Sequence, residues 1–300
     1  MTAVKRLSYL AIFAALGVFC ALASFGRAQE KPDAQKLPFT PPPLTAMPSG
    51  AFGDAVKHGE NIFRHTTIYA SGAIGNKLNC SNCHLGGGTL ANSSPLWAAY
   101  TAYPAYRAKN EEVNDYVMRL QDCFRFSENG KILPADSPII VAVEAYSYWL
   151  ATGAPTGAAL AGRGYPKLPA PPAPPDYARG AAVFKAQCAL CHGADGAGQY
   201  TRGETVFPAL WGKASYNWGA GMSNLNVLAA FAKANMPLGG VGMLSVQQAW
   251  DVAQYIDSHE RPQDPRFTGS TAETRKKFHD TKFSMYGATV NGIVLGAPRQ

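Results

Sequence analysis

Charged residues are scarce in this 300-residue chain, at 16% against 47% hydrophobic residues. No run of lysines and arginines is interleaved with aromatic residues, so the formal net charge of +7 does not indicate nucleic-acid binding. After residue 25, no apolar run is long enough to span a membrane. We therefore expect no nucleic-acid partner and no membrane association once any leader is removed. An acidic partner or a small anion remains compatible with the basic charge.

The N-terminus has the pattern of a secretory signal. Lys5 and Arg6 precede an uncharged apolar stretch over residues 7–25, and small residues lead up to Ala28. We interpret residues 1–28 as a signal peptide that is cleaved after Ala28. An uncleaved membrane anchor is the alternative, since the stretch is close to the ~20 residues that a spanning helix needs.

Two Cys-x-x-Cys-His motifs carry the clearest chemistry. They are Cys80-Ser81-Asn82-Cys83-His84 and Cys188-Ala189-Leu190-Cys191-His192. In such a motif the two thiols add to the vinyl groups of a haem, and the histidine binds its iron. A zinc site or a redox dithiol is the alternative, but zinc would need further Cys or His at similar spacing. We predict two covalently bound haem c groups, attached outside the cytosol in a bacterial periplasm.

The chain divides into two similar halves. Gly59-Glu60-Asn61-Ile62-Phe63 precedes the first motif, and Gly180-Ala181-Ala182-Val183-Phe184 precedes the second. Both halves resemble the class I cytochrome c domain, so we predict a mainly α fold with two such domains joined by a Pro-rich linker. The predicted segments are an extended arm (29–50), domain 1 (51–160), the linker (161–175), domain 2 (176–262) and a C-terminal arm (263–300).

Local signals refine this organisation. Ser137 and Pro138 predict a helix from about Pro138 to Thr152. Ser245 and Gln248 predict a capping box on a helix from about Val246 to His259. Residues 65–79 form an insertion that the second half lacks, and we expect it to be a surface loop.

Met236 is the candidate sixth ligand of the second haem. It lies in Asn235-Met236-Pro237, where the proline stiffens the loop that would hold the sulfur. Met222 and Met243 are rivals, because methionine more often fills gaps in a core than binds a metal.

Cys123 is the odd thiol of the first half, because four of the six cysteines belong to haem motifs and Cys20 lies in the signal. It could be a buried inert cysteine, a partner in an intermolecular disulfide, or a thiolate ligand of the first haem. A thiolate ligand would stabilise ferric iron, and Arg119 and Arg125 would favour its ionised form. Met118 is the alternative ligand.

Several segments resemble the two-haem thiosulfate dehydrogenases across the mature chain. They are NCSNCHLG (79–86), SPLWAAY (94–100), YRAKN (106–110), LQDCFRFSENG (120–130), WLATG (149–153), FPALWG (207–212) and NMP (235–237). The first-half segments are the specific ones, whereas those of the second half recur in many cytochromes c.

The resemblance implies an enzyme that joins two thiosulfates into tetrathionate and releases two electrons, and some members of the family run the reverse reaction. It places His/Cys ligation on His84 and Cys123, and His/Met ligation on His192 and Met236. Some members carry a lysine beside the methionine that can replace it, but Asn235 stands there in this chain. A soluble cytochrome or similar acceptor would take the electrons.

Thiosulfate is a dianion, so a site for two of them needs cations and hydrogen-bond donors. The candidate substrate-binding residues near Cys123 are Arg107, Arg119, Arg125 and Lys131, with Gln121 and Ser127 as donors. The cations could instead be solvated or bind haem propionates. We expect a substrate sulfur to react at the Cys123 sulfur and a second thiosulfate to resolve the adduct.

Two other functions remain compatible with the sequence. One is a dihaem electron carrier without a substrate, which would need no pocket at the first haem. The other is the haem subunit of a periplasmic sulfur-oxidising complex, in which a Cys-ligated haem also occurs. That subunit would need a partner chain and a sulfur carrier for activity.

Overall fold

The computed structural model describes residues 36–298. Within this range the protein is mainly helical with three short antiparallel hairpins, which confirms the predicted mainly α class. No helix between residues 36 and 298 is long and apolar enough to cross a membrane. The predicted signal peptide, Cys20 and the beginning of the N-terminal arm lie outside the described residues.

The first half contains helices that surround one hydrophobic core. Its elements are a 3-10 turn (Leu44–Ala46), α1 (Gly50–Arg64), α2 (Thr66–Tyr69), a 3-10 turn (Cys80–Asn82), α3 (Leu85–Gly88), α4 (Leu96–Tyr100), β1 (Ala105–Arg107), β2 (Glu112–Asn114), α5 (Tyr116–Asp122), a π-helical turn (Cys123–Ser127) and α6 (Pro138–Leu150). Ser137 caps α6 as predicted, with its hydroxyl accepting from the Ile140 amide. The helix ends two residues before the predicted Thr152.

Helices α1 and α6 cross in backbone contact at Gly59. A Cβ atom on Gly59 would lie 2.0 Å from the carbonyl oxygen of Ala142, so only glycine allows this approach. Ile62 and Tyr146 are fully buried beside the crossing. The crossing brings the apolar faces of both helices onto the core, where burial of each large side chain contributes about 1.5–3 kcal/mol.

The second half repeats this helix pair. Its elements are α7 (Tyr177–Gln187), α8 (Ala189–His192), β3 (Gln199–Thr201), β4 (Glu204–Phe207), a 3-10 turn (Gly221–Ser223), α9 (Leu225–Asn235) and α10 (Val246–Asp257). A Cβ atom on Gly180 would lie 2.0 Å from the carbonyl oxygen of Asp251. Each crossing glycine thus stands four residues before a buried phenylalanine, Phe63 or Phe184, as the sequence repeat indicates.

The predicted capping box of α10 is confirmed. The Ser245 hydroxyl accepts from the Gln248 amide at 3.1 Å, and the Gln248 side chain accepts from the Ser245 amide at 2.8 Å. The helix ends at Asp257, two residues before the predicted His259, which lies beyond the last turn.

The prediction that residues 65–79 form a surface loop is wrong. They include α2, and the side chains of Ala73 and Leu78 are buried. The amide of Asn76 donates to the carbonyl oxygens of Ser127 and Ser215 at 2.8 and 3.3 Å. Because Ser127 and Ser215 belong to different halves of the sequence, the insertion ties them together.

Segments predicted as a linker and an arm pack against the helices. The indole of Trp250 donates to the carbonyl oxygen of Pro169 at 2.8 Å, so the Pro-rich segment runs along α10. After α10 follow α11 (Thr271–Phe278), β5 (Thr289–Val290) and β6 (Ile293–Val294). Tyr286 and Leu295 of this C-terminal segment form a small core with Trp218.

Candidate active site

Three thiols and an imidazole line one cavity of about 300 Å³ in the first half. Cys80 begins the 3-10 turn, and Cys83 and His84 lie between that turn and α3. Cys123 comes from the π-helical turn that continues α5. We call this space the Cys123 cavity. It brings together the four residues that the sequence assigned to the first haem.

Short-range hydrogen bonds explain the local structure of the first motif. The Asn79 amide donates to the side chain of Asn82 at 2.7 Å, which holds the Cys80–Asn82 turn. The Asn79 side chain accepts from the amide of Thr67 at 3.0 Å. The turn is therefore fixed from both sides before any group is attached to Cys80.

His84 is arranged as a neutral nitrogen ligand. Its Nδ1 atom lies 2.6 Å from the carbonyl oxygen of Ser94, which can only accept, so Nδ1 carries the proton. Burial lowers the pKa of His84 to about 4, although the Ser94 carbonyl opposes the shift. The ring is therefore neutral at physiological pH, and Nε2 keeps the lone pair that a metal requires.

Arg119 stands directly beside the third thiol. Asp115 caps α5 by accepting from the Met118 amide at 2.7 Å, and Arg119 and Cys123 follow one turn apart. Nη1 of Arg119 lies 2.8 Å from the Cys123 sulfur. That sulfur holds the pKa of the guanidinium above its usual range, although burial opposes the shift. Arg119 therefore presents a permanent cation to the Cys123 sulfur at hydrogen-bond distance.

The residues of the cavity fit a haem. Haem proteins use two motif thiols for attachment and an imidazole and a third thiol as possible iron ligands, and most of the remaining lining is apolar or aromatic. Glu128 is buried in the lining, and its Oε2 has no hydrogen-bond partner among the described residues. Burial raises the pKa of Glu128 to about 8, so this side chain is neutral at pH 7. Within residues 36–298 no group of three or more His, Cys, Asp or Glu is arranged to hold a metal ion.

The other predicted site residues lie at different places. Arg119 and Ser127 line the Cys123 cavity, and Arg107 donates at 2.7 Å to the hydroxyl of Tyr103, itself a lining residue. Arg125 lies over the Phe126 ring.

Two other predicted site residues lie outside the cavity lining. Gln121 donates to the carbonyl oxygen of Leu133 at 2.7 Å, and Lys131 is exposed. Met118, the alternative ligand, also lies outside the lining and contacts Asn114.

Sequence reasoning missed Lys109. Its ammonium donates to the Gly219 carbonyl oxygen at 2.5 Å and lies 3.6 Å from the centre of the Phe126 ring. Burial lowers the pKa of Lys109 to about 7, and repulsion from Arg266 and Arg119 adds to the shift. The motif Tyr-Arg-Ala-Lys-Asn gave no sign of this, because the position of Lys109 depends on Gly219, 110 residues away.

The second motif has the same histidine geometry. Nδ1 of His192 lies 2.9 Å from the carbonyl oxygen of Pro208, which leaves Nε2 free, and burial lowers the pKa of His192. Of the three methionines considered for this iron, Met222 lines the Cys123 cavity and Met243 is 66% exposed. Met236 follows the last residue of α9 and is half-buried.

Asn235, the residue before Met236, is buried in the contact between the two halves. Its amide donates to the carbonyl oxygens of Asn92 and Phe231 at 3.1 and 3.2 Å. The start of the Met236 loop is therefore attached to the first half.

Comparisons with known proteins agree with this geometry. The family model for cytochrome c matches residues 177–260. Two thiosulfate dehydrogenases are each 53% identical: that of Thiomonas intermedia covers 94% of this chain and 93% of its own length, and that of Stutzerimonas stutzeri 86% and 85%. The solved thiosulfate dehydrogenase TsdBA from Marichromatium purpuratum is 48% identical with a TM-score of 0.83, over 86% of this chain. The present chain spans 57% of that structure's chain.

Proposed function

Because the chain belongs to the thiosulfate dehydrogenase family, a group of c-type cytochromes with covalently bound haem c, we propose that it couples two thiosulfates into tetrathionate. Two thiosulfate dianions give one tetrathionate dianion and two electrons. The observation that carries the proposal is the contact of 2.8 Å between Arg119 and the Cys123 sulfur, inside a cavity that His84 also lines. An electron carrier without a substrate would need no such ion pair.

The cations of the site reduce the electrostatic repulsion between two thiosulfate dianions. Two unit charges 4 Å apart repel by about 4 kcal/mol at a partly buried site, and each thiosulfate carries two. Arg119 lies at the sulfur, while Lys109 and Arg107 lie close enough to one another for their charges to interact. Fixed cations of this kind stabilise the approach of anions most strongly where water is excluded.

Cys123 supplies the reacting sulfur. The Cys123 thiolate and the sulfane sulfur of a first thiosulfate form an S–S bond, and two electrons leave. A second thiosulfate then attacks the sulfane sulfur of this adduct, so the new S–S bond forms as the bond to Cys123 breaks. Tetrathionate departs and Cys123 returns to a thiolate, without net proton transfer. The same steps in the opposite order would reduce tetrathionate.

We assign His84 and Cys123 as ligands of the first haem, and His192 and Met236 as ligands of the second. When bound, the haem groups supply the electron-accepting chemistry, one electron each. A thiolate ligand lowers the potential and a thioether raises it, so electrons would pass from the first haem towards the second. An external acceptor, such as a soluble cytochrome, would then remove them one at a time.

A periplasmic location is the further part of this proposal. It is supported by the signal pattern over residues 1–28 and by the two haem-attachment motifs, which need reduced thiols outside the cytosol. Cell fractionation tests it: the protein should be recovered in the periplasmic fraction, and recovery in the cytosol would contradict it.

The reaction is tested by its products and its electron count. Purified holoprotein should consume two thiosulfates per tetrathionate formed and reduce two equivalents of ferricyanide. The ferric protein should also show the narrow paramagnetic resonance signal of thiolate-ligated low-spin haem. A protein that forms no tetrathionate unless a partner chain is added would instead be a subunit of a sulfur-oxidising complex.

A further inference from the structure

The C-terminal segment, residues 263–298, contributes a cation to the surroundings of the Cys123 cavity. The guanidinium of Arg266 lies 4.9 Å from the centre of the Phe126 ring in the first half, and 4.2 Å from that of Phe278 on α11. Its side chain is only 13% exposed. Arg266 is therefore held between two rings rather than extended into solvent.

Phe126 connects this arginine to the candidate active site. Its ring packs with Leu78, Tyr216 and Ala220, all three of which line the Cys123 cavity. The same ring carries Lys109 at 3.6 Å. Phe126 thus brings a cation of the first half and a cation of the C-terminal segment together beside the cavity.

A buried acid fixes the orientation of Arg266. Asp264 is fully buried and accepts from Nε and Nη2 of Arg266 at 3.0 and 2.7 Å. His279, which is 5% exposed, lies 3.0 Å from the same carboxylate and stacks on Tyr286 at 4.3 Å. Burial raises the pKa of Asp264, but His279 and Arg266 outweigh it and hold that pKa below its usual range. Asp264 is therefore a carboxylate at neutral pH, and Arg266 is held by a bidentate pair.

The remaining nitrogen of Arg266 is available for an anion. Nη1 makes no hydrogen bond among residues 36–298, whereas Nε and Nη2 are committed to Asp264. The backbone at Gly219 packs closely against the same residues, because a Cβ atom on Gly219 would lie 2.4 Å from the Phe126 ring and 3.1 Å from the Asp264 carboxylate. Burial lowers the pKa of Lys109, and the charges of Arg266, Arg119 and Arg107 lower it further, whereas Asp122 opposes the shift, so each of these groups lies close enough to act on Lys109. Asp264 is already paired, so the group has an excess of positive charge.

We infer that Arg266 is a substrate-binding residue that, with Lys109, holds one sulfonate group next to the Cys123 cavity but outside its lining, while Arg119, which lines the cavity, serves the end of the substrate at Cys123. Asp264 and His279 are positioning residues that act through Arg266. Tetrathionate carries a sulfonate at each end, and a two-point site of this kind matches that charge distribution. The inference rests on the proposed function, and it makes the C-terminal segment part of the active site.

The test compares Arg266→Gln with Lys276→Gln in the full holoprotein. Lys276 is an exposed cation of the same segment, so it controls for net charge. Because Arg266→Gln removes a charged hydrogen bond to the sulfonate, it should raise the KM for thiosulfate at least about tenfold, with kcat within about threefold of wild type. Lys276→Gln should change neither parameter by more than about twofold.

A binding measurement makes the result independent of turnover. In a Cys123→Gly background, calorimetric titration with thiosulfate should show the same tenfold weakening on Arg266→Gln and none on Lys276→Gln. If Arg266→Gln does not fold, Arg266→Lys replaces it: it keeps the charge but loses the bidentate pair, and KM should rise about threefold. Unchanged KM and Kd in the folded variants would overturn the inference. A wild type that binds thiosulfate but makes no tetrathionate would instead contradict the proposed function.

Discussion

Arg119 and Cys123 stand one turn apart where α5 passes into a π-helical turn, and their side chains meet at 2.8 Å between Nη1 and Sγ. Both line the cavity that contains Cys80, Cys83 and His84. A buried arginine beside a free sulfur is costly unless the sulfur is ionised, because an unpaired charge would remain in a poorly solvated place. The pair therefore places a cation at a cavity sulfur outside the haem motif, and the predictions for Arg119 and Cys123 depend on it.

Removing the charge of Arg119 should impair catalysis more than folding. Arg119→Gln removes the cation that lies 2.8 Å from the Cys123 sulfur, so the attraction for the thiosulfate dianion at that sulfur falls. We expect kcat/KM to decrease about 10²-fold, as for the loss of one charged donor in an oxyanion site. Steady-state assays with ferricyanide measure this. Arg119→Lys should recover part of the loss, and equal activity in Arg119→Gln would contradict the role of the pair.

Thiosulfate binding should weaken as the pH rises through about 7. Burial, then repulsion from Arg266, Arg119 and Arg107, lowers the pKa of Lys109 to about 7, and Asp122 opposes the shift. Lys109 is charged below this pH and attracts the dianion, whereas above it the attraction is lost. The KM for thiosulfate should therefore rise between about pH 6 and pH 8.5. In Lys109→Arg the cation persists, so the rise in KM should be smaller and should begin nearer pH 8, where Glu128 ionises. A wild-type slope between pH 6 and pH 7.5 retained in that variant would exclude Lys109 as its source.

Substitution of either glycine at the helix crossings should destabilise the protein. Gly59→Ala and Gly180→Ala each place a Cβ atom 2.0 Å from a carbonyl oxygen of the opposing helix, so the helices must separate. We expect each change to lower the free energy of unfolding by about 2–3 kcal/mol. Gly72→Ala is the matched control, because no atom lies within 4 Å of its added Cβ. Chemical denaturation of the holoproteins gives the comparison, and equal stability of all three variants would show that the crossings are looser than described.

A buried ion pair of the second half should be essential for stability. Asp257 and Arg261 are fully buried and lie 3.0 Å apart, and the Arg261 guanidinium also lies 4.3 Å from the Tyr216 ring. Burial raises the pKa of Asp257 to about 7, although Arg261 opposes the shift. Arg261→Met removes this cation and leaves only the Tyr216 hydroxyl beside the acid, so the free energy of unfolding should fall by about 3–5 kcal/mol at pH 8, where Asp257 of the wild type is ionised. Lys57→Met removes the 60% exposed partner of Glu60 and should cost less than about 1 kcal/mol. Similar losses in both variants would contradict a dominant role for burial.

The sequence was sufficient wherever the signal is local. The haem motifs, the cap at Ser137 and the box between Ser245 and Gln248 each depend on residues within four positions of one another, and the structure contains all of these local features. The repeat of glycine and phenylalanine predicted matching helices, because a close crossing needs glycine at one fixed place.

Predictions failed or were incomplete where the signal is long-range. The position of Lys109 depends on a hydrogen bond to Gly219, and that of Asn76 depends on a hydrogen bond to Ser215. Neither the periodicity nor the composition of the sequence relates residues so far apart. Arg266 belongs to a segment without a motif, and its position follows from burial of Asp264 and His279. Lys131 and Gln121 were candidates because they lie near Cys123 in sequence, but Gln121 on α5 bonds to Leu133, and Lys131, which lies after the π-helical turn, is exposed.

The most direct test of the central claim is steady-state oxidation of thiosulfate by wild type and Cys123→Gly, each with both haems attached. If the Cys123 sulfur carries the reaction, the variant should lose at least about 10³-fold in kcat while its haem content and fold are kept. Turnover by Cys123→Gly at the wild-type rate would contradict the account and leave the protein without a reacting thiolate.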